Sequence, residues 1–209
     1  LASVVLGLTL LSGKSRDKDQ KTLGTAVASL DSSLCNNVGN KDLRDRCFTE
    51  IGTNTSNLDV CNKIGSPKGK SYCQYKVAVD TNDTVLCRNI NDAEWRDSCL
   101  KDSAARNLEQ WLCNDILDGK VFNECNLKVA VGLGQWDICN NILGLPDREN
   151  CFFEVGTAAN DPDACNLITS STLSSVFNSK VARATKNPDI CKLVRIEEIQ
   201  KDCIKAFSY

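Results

Sequence analysis

Apolar residues recur along the chain at a fixed interval of 26 residues. One apolar position is filled only by Val or Ile, in seven copies: Val38, Ile64, Ile90, Ile116, Ile142, Ile168 and Val194. A second lies beside a small residue (Gly, Ala or Ser) and comprises Ile51, Val77, Ser103, Val129, Val155, Val181 and Phe207. Each residue of the second set lies four positions after the second cysteine position of its copy, a spacing that places both on one helix face. The pattern predicts seven helical hairpins, each with a short first helix and a second helix that a neighbour approaches closely.

Polar residues precede each short first helix. The recurring position holds Asp31, Asn57, Asp83, Glu109, Gln135, Asp161 and Asn187. Asp and Asn are good N-caps because their side chains accept hydrogen bonds from first-turn N–H groups, and Pro162 and Pro188 follow where no N–H is needed. A half repeat comes before the first copy, with Lys21 at the second cysteine position and Ala26 at the small position.

Thirteen cysteines follow the same period, at alternating intervals of 12 and 14 residues, and Phe177 stands where a fourteenth is expected. Pairing across 12 residues leaves only Cys165 without a partner, whereas pairing across 14 leaves three cysteines unpaired. The spacing favours six disulfides: Cys35–Cys47, Cys61–Cys73, Cys87–Cys99, Cys113–Cys125, Cys139–Cys151 and Cys191–Cys203. Each would contribute roughly 3 kcal/mol by closing a short loop. The chain has no histidine and no C-x-x-C, so the competing metal interpretation is weak and no cofactor is predicted.

A second period of 52 residues lies beneath the first. Three residues after the second cysteine position the charge alternates in sign: Glu50, Lys76, Asp102, Lys128, Glu154 and Lys180. One residue after it, apolar and amide side chains alternate: Phe48, Gln74, Leu100, Asn126, Phe152, Asn178 and Ile204. Duplication of a two-hairpin ancestor, with weak ion pairs between hairpins, is one explanation. The other is that the odd hairpins present their apolar residues to a binding partner, and both remain open.

The first thirty residues differ from the repeats of residues 31–209. Residues 1–11 are largely apolar and residues 14–21 are mostly charged. Eleven residues are too few to span a bilayer, so no transmembrane span is expected. The segment is either the remnant of a secretory signal or an arm that docks onto another subunit. The candidate docking side chains of such an arm are Val4, Val5, Leu6, Leu8, Leu10 and Leu11.

Composition narrows the setting of the protein. A formal net charge of −2 and a pI near 5.3 argue against a nucleic-acid partner. Many paired cysteines favour an oxidising environment, which predicts an extracellular or cell-surface location. Two sequons, at Asn54 and Asn82, are compatible with N-glycosylation of a secreted protein.

The two cysteine positions, the N-cap position and the Gly/Ala position together carry a family resemblance over residues 31–209. The chain resembles α-solenoids of the tetratricopeptide and Sel1-like kind. It is more similar to the cysteine-paired short helical repeats of secreted microbial, notably archaeal, proteins. The resemblance implies an all-α solenoid of seven stapled hairpins. Because the 34-residue tetratricopeptide pattern itself is missing, no ligand-binding residues carry over.

No recurring catalytic constellation is present in the sequence. There is no histidine, no G-x-S-x-G and no phosphate-binding loop, and Cys165 lacks a histidine that would activate it as a nucleophile. The sequence therefore predicts a protein that is not an enzyme.

Two non-catalytic functions compete. The chain closes on Ile204, Phe207 and Tyr209 without a polar cap, which predicts head-to-tail assembly with itself into an extracellular, pilus-like filament. The alternative is a secreted or cell-surface protein-binding module. Trp111 and Trp136 occupy positions that are otherwise mostly polar, so they are candidate exposed contacts in either case.

Overall fold

The structure, a computed structural model, describes the backbone of residues 2–208 and the side chains of residues 15–208. Within this range every regular element is a helix, which confirms the predicted all-α class. The chain forms two compact units, residues 1–100 and residues 101–209.

Long and short helices alternate as the sequence predicts. The N-terminal helix, α1, spans Ala2–Ser29. The second helices of hairpins 1 to 7 are, in order, Lys41–Asn54, Pro67–Thr81, Ala93–Asn107, Gly119–Leu133, Leu145–Ala159, Ser171–Thr185 and Glu197–Lys205. The first helices, in the same order, are Ser32–Asn37, Leu58–Cys61, Thr84–Arg88, Gln110–Asp115, Trp136–Asn141, Pro162–Leu167 and Pro188–Leu193. The first helices of hairpins 2 and 3 are short α-helices and the other five are 3₁₀ helices, the form that short segments commonly adopt.

One type of joint connects each long helix to the first helix that follows it. The residue after or near the long helix has a positive φ: 55° at Leu30, 47° at Ser56, 58° at Asn82, 58° at Leu108, 66° at Gly134, 53° at Asn160 and 55° at Lys186. The next residue donates its N–H to the carbonyl of the small residue five positions earlier, as Asp31 does to Ala26 at 3.0 Å. This is the Schellman ending of a helix, repeated here at every joint.

The residue that ends each joint also starts the next helix. Its side chain accepts a backbone N–H in five hairpins, from Asp31, Asn57, Asp83, Asp161 and Asn187. Glu109 and Gln135 make no such bond. The N-cap prediction is therefore confirmed for the Asp and Asn residues and is wrong for the two longer side chains.

The small position lies against the next hairpin. A Cβ atom built on Gly52 would lie 2.8 Å from the Cys73 sulfur and 3.1 Å from the Cys61 sulfur, which is closer than real Cβ atoms approach. The alanines at this position, Ala78, Ala104, Ala130 and Ala182, are fully buried. Successive hairpins within each unit therefore pack with no room for a larger side chain at this position.

The positive φ of Lys186 generates a stability prediction. Lys186 is exposed and has φ 55°, a conformation that costs a residue with a Cβ atom about 1 kcal/mol relative to glycine. We expect Lys186→Gly to raise the free energy of unfolding by about 0.5–1 kcal/mol. The control Lys186→Ala retains the Cβ atom and should bring no such gain. Chemical denaturation of both variants measures the difference, and equal stabilities would contradict the prediction.

Candidate functional site

The structure places twelve cysteines in the six pairs expected across 12 residues. Their Cα atoms lie 5.4–5.7 Å apart within each pair, and each pair joins the first and second helices of one hairpin. Every sulfur-bearing side chain of these pairs is fully buried, so the disulfides belong to the core of each hairpin.

Hairpin 6 has a different interior from the other hairpins. Cys165 is a free thiol, 8% exposed, with its sulfur 3.1 Å from the Ser174 hydroxyl. Phe177 is fully buried, and its ring meets that of Phe153 edge to face at 5.8 Å between centroids. A Cβ atom on Gly156 would lie 2.7 Å from the Phe177 ring. An aromatic contact that requires a glycine opposite it thus stands where the other hairpins have a disulfide.

A recurring hydrogen-bond acceptor links each long helix to the next hairpin. It lies two residues before the second cysteine position, and we call it the acceptor position. Its occupants are Asp19 in α1 and then Asp45, Ser71, Asp97, Asn123, Glu149, Ser175 and Lys201. The sequence analysis missed it because no single residue type recurs there. The shared property, a side-chain oxygen in all but the last occupant, was the available signal.

The acceptor position binds backbone N–H groups 20 and 21 residues later, at the start of the next second helix. Asp45 accepts from Gly65 and Ser66, both at 2.8 Å. Ser175 accepts from Arg195 and Ile196, both at 3.1 Å. Asp19, Asn123 and Glu149 make the corresponding bonds to Gly39 and Asn40, to Leu143, and to Thr169 and Ser170. These bonds fix each hairpin against its predecessor and satisfy N–H groups that helices leave open at their start.

Two acceptor carboxylates have lowered pKa values. The Thr169 hydroxyl, and then the backbone N–H groups of Thr169 and Ser170, lower the pKa of Glu149 from its ordinary 4.5, while burial opposes the shift. The backbone N–H groups of Gly39 and Asn40 likewise lower the pKa of Asp19. Both groups are therefore held as carboxylates by the bonds they accept.

The expectation that Phe48, Leu100 and Phe152 are subunit contacts is wrong. They are 2%, 1% and 4% exposed and pack inside their own chain. The amides that alternate with them are interior too: Asn126 is fully buried and accepts from Gln110 at 3.1 Å. The position after the second cysteine faces the core in both odd and even hairpins, so its alternation does not mark a binding surface.

The other predicted contacts differ in exposure. Ile204 is 49% exposed and Phe207 is half-buried. Trp111 and Trp136 are 49% and 37% exposed. The side chains of Val4, Val5, Leu6, Leu8, Leu10, Leu11 and Tyr209 lie outside the described residues.

The alternating charges form one of the expected ion pairs between hairpins. Lys128 lies 3.8 Å from Asp102, and both side chains are partly exposed. Such a pair contributes little at a wet surface, so it accompanies the packing rather than determining it. The proposed glycosylation residues Asn54 and Asn82 are both exposed, near the ends of successive second helices.

No protein-family model matches the chain, and neither the curated proteins nor the solved structures include a significant match. Among the described residues, no helix combines the length and the apolar character needed to cross a membrane. The described part of the chain also holds no cluster of three or more Cys, Asp or Glu side chains arranged to bind a metal ion.

The thiol of Cys165 provides a direct test of the cysteine arrangement. We expect thiol titration of the unreduced protein to detect one group per chain, and only after unfolding, because Cys165 is buried. Phe177→Cys should abolish this signal, because the new thiol can pair with Cys165 across 12 residues. Phe177→Ala is the matched control and should retain it. Several thiols in the native chain, or an unchanged thiol in the Phe177→Cys variant, would contradict the assignment.

The lowered pKa of Glu149 predicts an acid-dependent loss of stability. A carboxylate with a lowered pKa in the folded state stabilises the fold above its unfolded value of 4.5, and that stability is lost as pH falls through the lower folded value. We expect Glu149→Gln to destabilise the protein at neutral pH and to weaken the fall in Tm between about pH 5 and pH 3. The exposed Glu154→Gln is the control. Thermal melts with the same acid dependence in both variants would refute this role.

Proposed function

We propose that the protein is a secreted, structural α-solenoid subunit that assembles with itself into an extracellular filament. The recurring joint, the disulfides and the acceptor bonds support the solenoid plan, because each holds successive hairpins in the same way within a unit. Six disulfides support an oxidising, extracellular setting. The proposed role is non-catalytic and involves neither a cofactor nor nucleic acid.

Exposure of Ile204 is the observation that carries the proposal. The apolar residues at the same position of other hairpins, Phe48, Leu100 and Phe152, are at most 4% exposed, whereas Ile204 is 49% exposed. Phe207, at a position where Ile51 is 1% exposed, is only half-buried. Side chains that face the core elsewhere therefore form an uncovered apolar surface on hairpin 7, which a second copy would bury.

The acceptor position indicates how such a contact would be made. In hairpin 7 it holds Lys201, which has no acceptor oxygen and pairs with Glu197 at 2.6 Å. A neighbouring copy would therefore bind through apolar side chains and not through the carboxylate-to-backbone bonds found inside the chain. A contact that joins two different surfaces of the subunit does not close on itself, and it generates a polymer. The apolar segment of residues 1–11 supplies a second contact in this proposal.

Exposed tryptophans favour a second candidate function, a cell-surface protein-binding module. Trp111 and Trp136 lie on the first helices of neighbouring hairpins 4 and 5 and leave large areas open to solvent. Trp is a frequent anchor of protein interfaces. N-glycans at Asn54 and Asn82 are compatible with either function.

Self-assembly is tested by substitution of Ile204 in the full chain. We expect the unmodified protein to form concentration-dependent polymers, and Ile204→Glu to weaken their assembly at least about tenfold by placing a charge in an apolar contact. Leu193→Glu, which changes a 57% exposed residue of the same hairpin, is the control and should assemble normally. Sedimentation velocity and negative-stain microscopy measure both. A chain that stays monomeric at high concentration would overturn the filament proposal and favour the binding module.

A further inference from the structure

Three exposed leucines lie together in the loops of hairpins 4 and 5. Leu117, Leu143 and Leu145 are 78%, 57% and 54% exposed. They lie where each first helix passes into the second helix, and a Cβ atom built on Gly119 would lie 3.8 Å from the Leu143 side chain. We call these three residues the leucine patch. Large apolar side chains this exposed, and this close, are typical of interaction sites.

The leucine patch is not a requirement of the hairpin fold. At the position of Leu117 and Leu143 the other hairpins have Gly39, Gly65, Asn91, Thr169 and Arg195. At the position of Leu145 the remaining hairpins have Lys41, Pro67, Ala93, Gly119, Ser171 and Glu197. Since these hairpins fold with small or polar residues there, the leucines contribute something other than hairpin formation.

The loops that carry the leucine patch are held in place by hydrogen bonds. The Asn123 side chain accepts the Leu143 N–H and donates to the Leu143 carbonyl, both at 2.8 Å. Asp118 caps the following helix by accepting from Lys120 and Val121, both at 2.9 Å. A surface that is already ordered loses little conformational entropy when it binds.

An acidic crevice adjoins the leucine patch. It has a volume of about 150 Å³ and lies between the second helices of hairpins 4 and 5. Leu127 and Ile142 contribute apolar walls, and Glu124 and Asp147 contribute carboxylates. The crevice therefore suits a basic side chain whose aliphatic stem packs on the apolar walls and whose charge meets the acids.

We propose that the leucine patch binds the apolar segment of residues 1–11 from a second copy of the chain. This inference rests on the proposed self-assembly and names the surface that accepts the segment. Lys14 and Arg16 follow the segment directly and complement the acids of the crevice. Ten helical residues from Ala2 span about 15 Å, which is enough to cross two neighbouring helices spaced about 8–10 Å apart.

Photo-crosslinking of mixed copies tests the inference. The full chain carries a photo-reactive amino acid in place of Leu8 and is mixed with an isotopically heavy, unmodified chain. We expect crosslinks between light and heavy chains that join residues 1–13 to residues 117–147. Leu143→Glu in the heavy chain should lower their yield about tenfold or more, whereas Leu193→Glu should not. The two leucines are equally exposed, at 57%, so they form a matched pair.

Each other outcome decides against the inference in a recognisable way. Crosslinks confined to one copy, crosslinks to other surfaces, or equal yields from the two glutamate variants overturn it. If assembly still depends on Ile204, the filament proposal stands without the leucine patch. If the chains stay monomeric, both fail. Binding of the chain to phosphatidylcholine vesicles, lost on deletion of residues 1–13 and without crosslinks between copies, would assign the segment to a lipid surface instead.

Discussion

Close approach of the small residue on each long helix to the interior of the next hairpin is the constraint on which the fold depends. At Gly52 the neighbouring atoms are the two sulfurs of the next disulfide, and at Gly156 they belong to Phe177 and Ala164. The same residue's carbonyl accepts the N–H that ends the joint. Because one residue sets both the packing distance and the turn, neither can vary alone. A constant repeat length follows from this double role.

Hairpin 6 indicates how the structure tolerates the loss of a disulfide. Phe177 fills the interior and packs against Phe153, so the hairpin has no large void. The bonds from Glu149 into this hairpin include the Thr169 hydroxyl as well as two backbone N–H groups. Charged acceptors form stronger hydrogen bonds than neutral ones. Apolar packing and a charged acceptor therefore stand together where the covalent link is missing.

The sequence predicts the parts of this fold that depend on residue identity. The hairpin period, the N-caps at Asp and Asn and the cysteine register all follow from residue types that recur. The acceptor position does not, because Asp45, Asn123 and Ser175 share only a side-chain oxygen. The inward direction of Phe48 is also hidden in the sequence. An amide at the same position, Asn126, is buried only because Gln110 and the Phe122 carbonyl satisfy it.

A scaffold fixed in this way separates folding from recognition. Core positions, joints and acceptor bonds use the second helix and the two ends of each hairpin, so the loop between the helices is left to vary. Leu143 illustrates the separation: its backbone is bound by Asn123 while its side chain stays in solvent. A side chain displayed on an ordered loop can bind a partner with little further loss of freedom. Surface differences between hairpins, set on nearly identical backbones, are therefore where the function of this chain is encoded.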